Sequence, residues 1–310
     1  MTGTAVEAAD DQLAIGMRLP MLSIGLPVYN GALHLERALG SLLAQSFGDF
    51  ELIVSDNAST DATPEICQDY AARDARVRYM RAPVNGGASW NFNRALALAR
   101  AELFVWAAHD DEWHPDFLER CVGVLRRRPL AVACYSRYQL VTYDGAPWGD
   151  PAGIGSEGFS RRDRWRHVLR HWQVHPAVYA VMRTAAARRT RGSRPCLSWD
   201  LIFMSELILH GELVVLPEVL HWKRLPPKAH YRDRDDVMNT VASPGKRPWL
   251  FDRYGVLREE LAGLKHAHLA KVEERMLARD AWVHYVTSRS WLYDGIESAK
   301  RLLGERGAKG

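Results

Sequence analysis

The sequence predicts an α/β protein: a mostly parallel sheet flanked by helices, with a helical C-terminal extension. Three observations carry that prediction. Apolar runs of strand length alternate with segments of helical period through the first hundred or so residues. Those runs lack clean in-out alternation, as expected of strands buried on both faces. Beyond about Pro248 the pattern changes to long helical periodicity.

The first unit pairs the strand Met21-Leu22-Ser23-Ile24-Gly25-Leu26-Pro27 with a helix through Leu35, Leu39, Leu42 and Leu43. A second pairs Phe50 to Ser55 with a helix from about Ala62 to Ala72. A third pairs Val77 to Met80 with a helix from about Ala88 to Arg100, and Leu103 to Ala108 supplies a fourth strand. Strands joined through helices lie parallel, and their ligands gather at the strand C-terminal ends. Glu218 to Arg224 reads as a late strand, ended by Pro226-Pro227. The tail keeps helical spacing through Leu257, Leu261, Leu264 and Leu269, then Trp282 and Tyr285. Three segments are therefore expected: a disordered tail over 1–19, a main domain over 20–247 divided near 112, and a helical extension over 248–310.

Composition excludes several classes. A chain of 310 residues with 47% hydrophobic content can bury a substantial core, and a net charge of +4 does not call for a nucleic-acid partner. Cys67, Cys121, Cys134 and Cys196 are widely spaced and show no zinc or redox pattern. No apolar stretch reaches the roughly eighteen residues of a membrane span, and the first nineteen residues lack the basic-then-apolar order of a signal peptide. A cytoplasmic protein without a transmembrane segment is expected. Neither the glycine fingerprint of dinucleotide sites nor the P-loop occurs.

The strand ends carry polar residues instead. Tyr29-Asn30-Gly31 follows the first strand, Asp56-Asn57-Ala58-Ser59-Thr60-Asp61 the second, Asn85-Gly86-Gly87 the third and His109-Asp110-Asp111 the fourth. Adjacent carboxylates at the end of a buried strand are costly unless paired, and hard oxygen ligands there suit Mg²⁺ or Mn²⁺ on a diphosphate. The competing reading of Asp111 is a cap on the helix beginning near His114-Pro115.

In their order and spacing, Leu26-Pro27-Val28-Tyr29-Asn30, Val54 to Asp61, Asn85-Gly86-Gly87 and Asp110-Asp111 resemble the family 2 glycosyltransferases of GT-A fold. The resemblance covers about residues 20 to 225, more strongly in the first half. It implies an enzyme that moves a sugar from a nucleotide diphosphate donor, with inversion, to a saccharide, lipid-linked saccharide or natural-product acceptor. It makes 20–112 the nucleotide-sugar half and 113–247 the acceptor half.

Carried over by residue, the resemblance places Pro27, Val28, Tyr29 and Asn30 around the nucleoside and makes Asp56 the acceptor for an imide-type N–H of the base. Uracil, thymine and guanine offer that donor. Asn85 and Gly86 close over the donor, Arg94 reaches phosphate or sugar, and Asp110 and Asp111 hold the Mn²⁺ or Mg²⁺ ion. His230 is the metal or diphosphate contact after the late strand, with Arg224, Lys228 and Arg232 as alternates. Asp200, opening a helix, is the base, with Glu206 the weaker candidate. Trp199 either stacks on an acceptor sugar or belongs to the core.

One departure stands out. The family's metal motif reads acid-any-acid, and here the string is Ala108-His109-Asp110. His109 is the candidate to take over the missing acid's contact with ribose or metal. The loss also keeps open a nucleotide-sugar-binding protein without transfer activity. The arginine-rich runs Arg161 to His167 and Arg183 to Arg194 read as solvated helix faces, or as a surface for phosphate-bearing acceptors or membrane headgroups. The C-terminal helices could pack on the main domain, pair two copies of the chain, or rest on the inner face of a membrane.

Overall fold

A computed structural model describes residues 18–171, 175–196, 198–225 and 252–288. Its first half follows the expected order: β1 (Leu22–Val28), α1 (Ala32–Leu43), β2 (Phe50–Asp56), α2 (Thr63–Arg73), β3 (Val77–Arg81), α3 (Ala88–Ala97) and β4 (Leu103–Trp106). β1 pairs in parallel with β2 and β4, and β2 with β3, so the order is β3-β2-β1-β4. In this register Val28 stands beside Asp56 and Gly25 beside Trp106, which brings the strand ends into one row.

The second half comprises β5 (Glu112–Trp113), α4 (Phe117–Arg127), β6 (Ala131–Val141), β7 (Pro147–Ala152), α5 (Arg161–Arg170), a 3₁₀ turn (His175–Tyr179), β8 (Val181–Arg183), α6 (Thr184–Ala187), α7 (Trp199–Leu207) and β9 (Glu212–Arg224). Here the sheet becomes mixed. β8 runs antiparallel to β4 and β6, β9 lies parallel to β6, and β5 and β7 are antiparallel edges. Nine strands form this one sheet, parallel throughout only in its first four. The late strand is also longer than its sequence suggests, because Glu212 to Leu216 pairs with the start of β6.

Strand alternation sorts two cores. Leu52, Val54, Leu103 and Val105 face α1, α2 and α4, while Ile53, Phe104 and Trp106 face α3, α5 and α7. Trp106 is fully buried between Phe104, Phe92 and Phe203, with ring centroids 4.8 to 5.8 Å away. Each such ring pair adds about 0.5–1.5 kcal/mol beyond area burial. The helices α8 (Asp252–His266) and α9 (Lys271–Thr287) join this second core through Val256, Leu257, Leu264, Leu277 and Ala281. No described helix is long and apolar enough to cross a membrane.

The arginine-rich run of α5 has a structural task. Arg162 makes a two-pronged contact with Asp280 of α9 at 2.7 and 3.0 Å, and Arg161 grips Glu273. Trp165, three residues past Arg162, is wholly buried. These guanidinium groups face the C-terminal helices.

Candidate active site

The first two strand ends are laced together by backbone-to-side-chain bonds. Asn30 adopts φ of +52°, a left-handed conformation that asparagine tolerates, and this turns its side chain toward the β2 loop. The Thr60 amide donates to Asn30 Oδ1 at 2.8 Å, and the Asn30 amide donates to Ser59 Oγ at 2.9 Å. The Gly31 amide donates to Thr63 Oγ1, and Asp61 accepts from the amides of Ala32 and Thr63. Pro27 and Val28 lie buried in β1, whereas Tyr29 is 44% exposed beside the shared loop.

Asp56 ends β2 with no exposed surface. Its Oδ1 accepts from the Ser59 amide at 2.9 Å and its Oδ2 from the Tyr79 hydroxyl at 2.7 Å, with Arg81 Nε 3.4 Å away. Burial, then the bond to Asp56, pushes the Tyr79 hydroxyl well above its ordinary range. Arg81 is half exposed and also donates to the Ser59 carbonyl, so it stands between Asp56 and solvent.

The Asn85-Gly86-Gly87 segment is held by Asn57. The Asn57 amide group donates to Asn85 Oδ1 and its oxygen accepts from the Gly86 N–H. Behind it, Asn91 accepts from Ser55 Oγ at 2.6 Å and donates to the Ser55 carbonyl. Arg94 donates to Ser55 Oγ at 3.0 Å and to the Met80 carbonyl at 2.8 Å, while its guanidinium lies 5.5 Å from the Trp90 ring. In this structure Arg94 ties β2 to β3 from beneath the strand ends.

At the fourth strand end the two acids part company. Asp111 is buried, and both its oxygens are taken: Oδ2 by His221 Nε2 at 2.9 Å, Oδ1 by the Arg224 amide at 2.9 Å. Burial disfavours its charge, but Lys223, His221 and the Arg224 amide outweigh that and hold its pKa below the usual carboxylate range. It caps no helix. Asp110 is half-buried, and its carboxylate has no hydrogen bond or ion pair among the described residues; only its backbone carbonyl is engaged, by Arg224. Arg224 is buried and also binds Glu112 and the Tyr143 carbonyl, which fixes the loop to β9 and removes it as a diphosphate contact in this arrangement. The His109 ring packs over Gly31, where a Cβ would lie 2.6 Å from it. Beside it His34 has a buried Nε2 with no partner among the described residues, and burial followed by Arg224 lowers its pKa.

Asp200 stands in the first turn of α7, with Oδ1 accepting from the Leu201 amide at 3.0 Å. Trp199 packs 4.7 Å from Phe92 and 5.9 Å from Trp106, a placement that joins it to the aromatic core. Glu206 is buried and gripped by Arg191 through Nε, Nη2 and the backbone amide, which gives it a structural role. Lys223 on β9 lies 4.9 Å from the Tyr179 ring and within electrostatic reach of Asp111, Asp110 and Asp200. Burial works against its charge, but these neighbours hold it firmly protonated. His230, Lys228 and Arg232 lie outside the described residues.

The sequence does not single out Tyr79, Arg81, Asn91 or Lys223. Arg81 had a signal: a strand laid parallel to β2 in this register puts its last residue beside Asp56.

The family model for Glycosyl transferase family 2 matches residues 23–191, more than half the chain. The chain belongs to that family. Curated relatives of this family 2 glycosyltransferase include TuaG of Bacillus subtilis (strain 168), named for teichuronic acid biosynthesis, 33% identical over 128 residues. That match spans 41% of this chain and 50% of TuaG. Chondroitin synthase of Pasteurella multocida (strain Pm70) is 31% identical over 42% of this chain and 13% of its own length. The chain thus spans half or less of these relatives. Among solved structures, S. aureus TarS 1–349 in complex with UDP-GlcNAc aligns with a TM-score of 0.65 and 17% identity, over 86% of this chain and 72% of that one. The mannosyltransferase PcManGT of Pyrobaculum calidifontis, in complex with GDP-Man and Mn²⁺, gives 0.53 and 16%, over 97% and 95%. These likenesses show the GT-A fold.

Proposed function

We propose that this family 2 glycosyltransferase transfers a sugar from a uridine, thymidine or guanosine diphosphate donor to a hydroxyl of a saccharide, lipid-linked saccharide or natural-product acceptor, with inversion. One observation carries the reading: the parallel register brings the ends of β1, β2 and β4 into one row, where Tyr29 is exposed, Asp56 is buried and the half-buried Asp110 carboxylate has no hydrogen bond or ion pair among the described residues.

The nucleoside lies along the row of strand ends, against Tyr29. Asp56, with Arg81 in front of it, meets the polar edge of the base. Asp56 can accept further bonds because a carboxylate offers about four lone-pair sites. Asn30, Asn57 and Asn85 keep the loops in shape, and Gly86 brings backbone close to the donor. Asp200 takes the proton of the acceptor hydroxyl as that oxygen bonds to the anomeric carbon and the bond to diphosphate breaks on the opposite face. Lys223 lends positive charge to the leaving side.

Among the described residues no three His, Cys, Asp or Glu side chains converge on a metal position. A hard divalent ion on a diphosphate needs only one or two protein carboxylates, the rest being phosphate oxygens and water, and the Asp110 carboxylate fits that need. Asp110, with His109 beside it, would hold Mn²⁺ or Mg²⁺, and Asp111 would support the loop. The ion would neutralise charge that grows on the departing diphosphate.

The test is calorimetric titration of UDP, dTDP, GDP and ADP, with and without Mn²⁺, on the wild type and Asp110→Ala. Metal-dependent binding of one of the first three, lost in the variant, is expected. Binding indifferent to both metal and Asp110 would overturn the metal-assisted reading.

A further inference from the structure

Away from the strand ends, the junction of the main domain with the C-terminal helices encloses a cleft of about 570 Å³. Its lining includes Arg161 at the start of α5, Arg189 after α6, His210 after α7, and His266, His268 and Glu273 around the α8–α9 turn. Its one acid is already spoken for: both Glu273 oxygens accept from Arg161 at 2.8 Å. Arg189 and the three histidines have no carboxylate partner among the described residues. Burial, then Arg189, Arg161 and His266, lowers the His210 pKa. The first turn of α9 forms another wall, and its N-cap, Ala270, supplies no side-chain acceptor.

Arg189, three imidazoles and the first turn of α9 meet around one cleft, and a doubly charged oxyanion can accept from several such donors at once. We infer that this cleft is a second ligand site, which binds a phosphoryl group through Arg189, His210, His266 and His268, with Arg161 fixed beneath by Glu273 and the Leu209 carbonyl. It is distinct from the donor site. Asp200 and His210 are ten residues apart along α7 and its C-terminal turn, about 15 Å at helical rise. A soluble phosphate ester and a lipid headgroup present the same phosphoryl chemistry to this site. The site lies where the two parts of the fold meet, so occupancy ties the C-terminal helices to the main domain.

The experiment follows thermal unfolding of the full chain against inorganic phosphate at constant ionic strength, with chloride as the control. The wild type is compared with Arg189→Ser and with Arg189→Ser/His268→Gly. Arg189 is exposed, and His268 has φ of +50°, which glycine adopts readily, so both variants are compatible with the fold. A saturable rise in Tm is expected for the wild type, with phosphate affinity at least about tenfold weaker in the double variant, one tenfold step being 1.4 kcal/mol. UDP affinity should be unchanged in all three proteins. Sedimentation with vesicles of phosphatidic acid, against phosphatidylcholine alone, then separates the sources: variant-sensitive binding to vesicles names a lipid headgroup, and phosphate binding without it names a soluble ester. No saturable shift beyond chloride, or an equal shift in the double variant, overturns the site.

Discussion

His221 Nε2 lies 2.9 Å from Asp111 Oδ2, while the His221 ring stacks on Trp113 at 5.2 Å and 4°. The pair joins the loop after β4 to β9, and so holds the end of β4 against the strand that carries Lys223. The adjacent acids Asp110 and Asp111 should therefore fail differently. Asp111→Ala leaves a buried imidazole and the Arg224 amide without an acceptor, a loss of about 3–5 kcal/mol. Asp110→Ala should unfold like the wild type and lose metal-dependent nucleotide binding. Chemical denaturation beside calorimetry separates them, and equal stability losses would refute the division of labour.

Asp200→Asn preserves shape and removes the proposed base. Donor affinity should stay within about twofold of the wild type, while turnover falls by about 10²–10⁴. Lys223→Gln should also slow turnover, by about tenfold or more, because the carboxylates near it lose their common cation. Single-turnover assays with a hydrolysable donor read both. Wild-type turnover by Asp200→Asn would remove it from the mechanism.

Two buried glutamates set opposite pH dependences. Glu51, on β2, accepts from Ser23, Arg78 and Arg100; these bonds outweigh burial and lower its pKa. Its stabilisation is present above the ordinary glutamate range and is lost as pH falls through the folded value. Glu260 has only burial acting on it, which pushes its pKa up to about 8. The unfolded chain ionises it from about pH 4.5 upward and the folded chain does not, so stability declines between those values and levels off above 8. Glu260→Gln should accordingly stabilise by on the order of 4 kcal/mol at pH 8 and by little at pH 4.5. Glu51→Gln should destabilise at pH 7 and lose that effect in acid. Urea midpoints across pH 4 to 9 decide both, and a flat Glu260→Gln difference would refute the second.

The site divides into what local pattern could show and what it could not. The placement of Asp56 and Asp110 at strand ends on one edge was legible because a parallel sheet delivers successive loops to one edge, and a polar run after an apolar one marks that edge. The partners of Asp56 were not, since Tyr79 and Arg81 meet it only through the β2–β3 register. Lys223 was hidden for the same reason: it reaches the site by pairing of β9 with β6, where it stands beside Leu140. The arginines of α5 looked like a solvated face because Asp280, their partner, lies 118 positions beyond Arg162. The adjacency of Asp110 and Asp111 suggested one shared role, and only the β5–β9 pairing assigns Asp111 to His221.

Gly263 on α8 faces Glu206 on α7, and a Cβ there would lie 2.7 Å from Glu206 Oε1 and 2.9 Å from its Cγ. That carboxylate holds Arg191, whose other contact is Glu259 at 2.8 Å. Two residues on, the Ser193 amide donates to Asn93 of α3 at 2.7 Å, so the segment leading to Asp200 is anchored to both halves of the site. Gly263→Ala must push Glu206 or α8 aside, at a cost of about 1–3 kcal/mol. Glu206→Ala leaves Arg191 without its principal partner, at about 3–5 kcal/mol. The double variant should lose less than the sum of the two, because the added methyl occupies space that Glu206 has vacated. Denaturant unfolding of all four proteins measures that coupling. Strict additivity would show that α8 accommodates the methyl without touching Glu206, and that the helix approach is not set by this glycine.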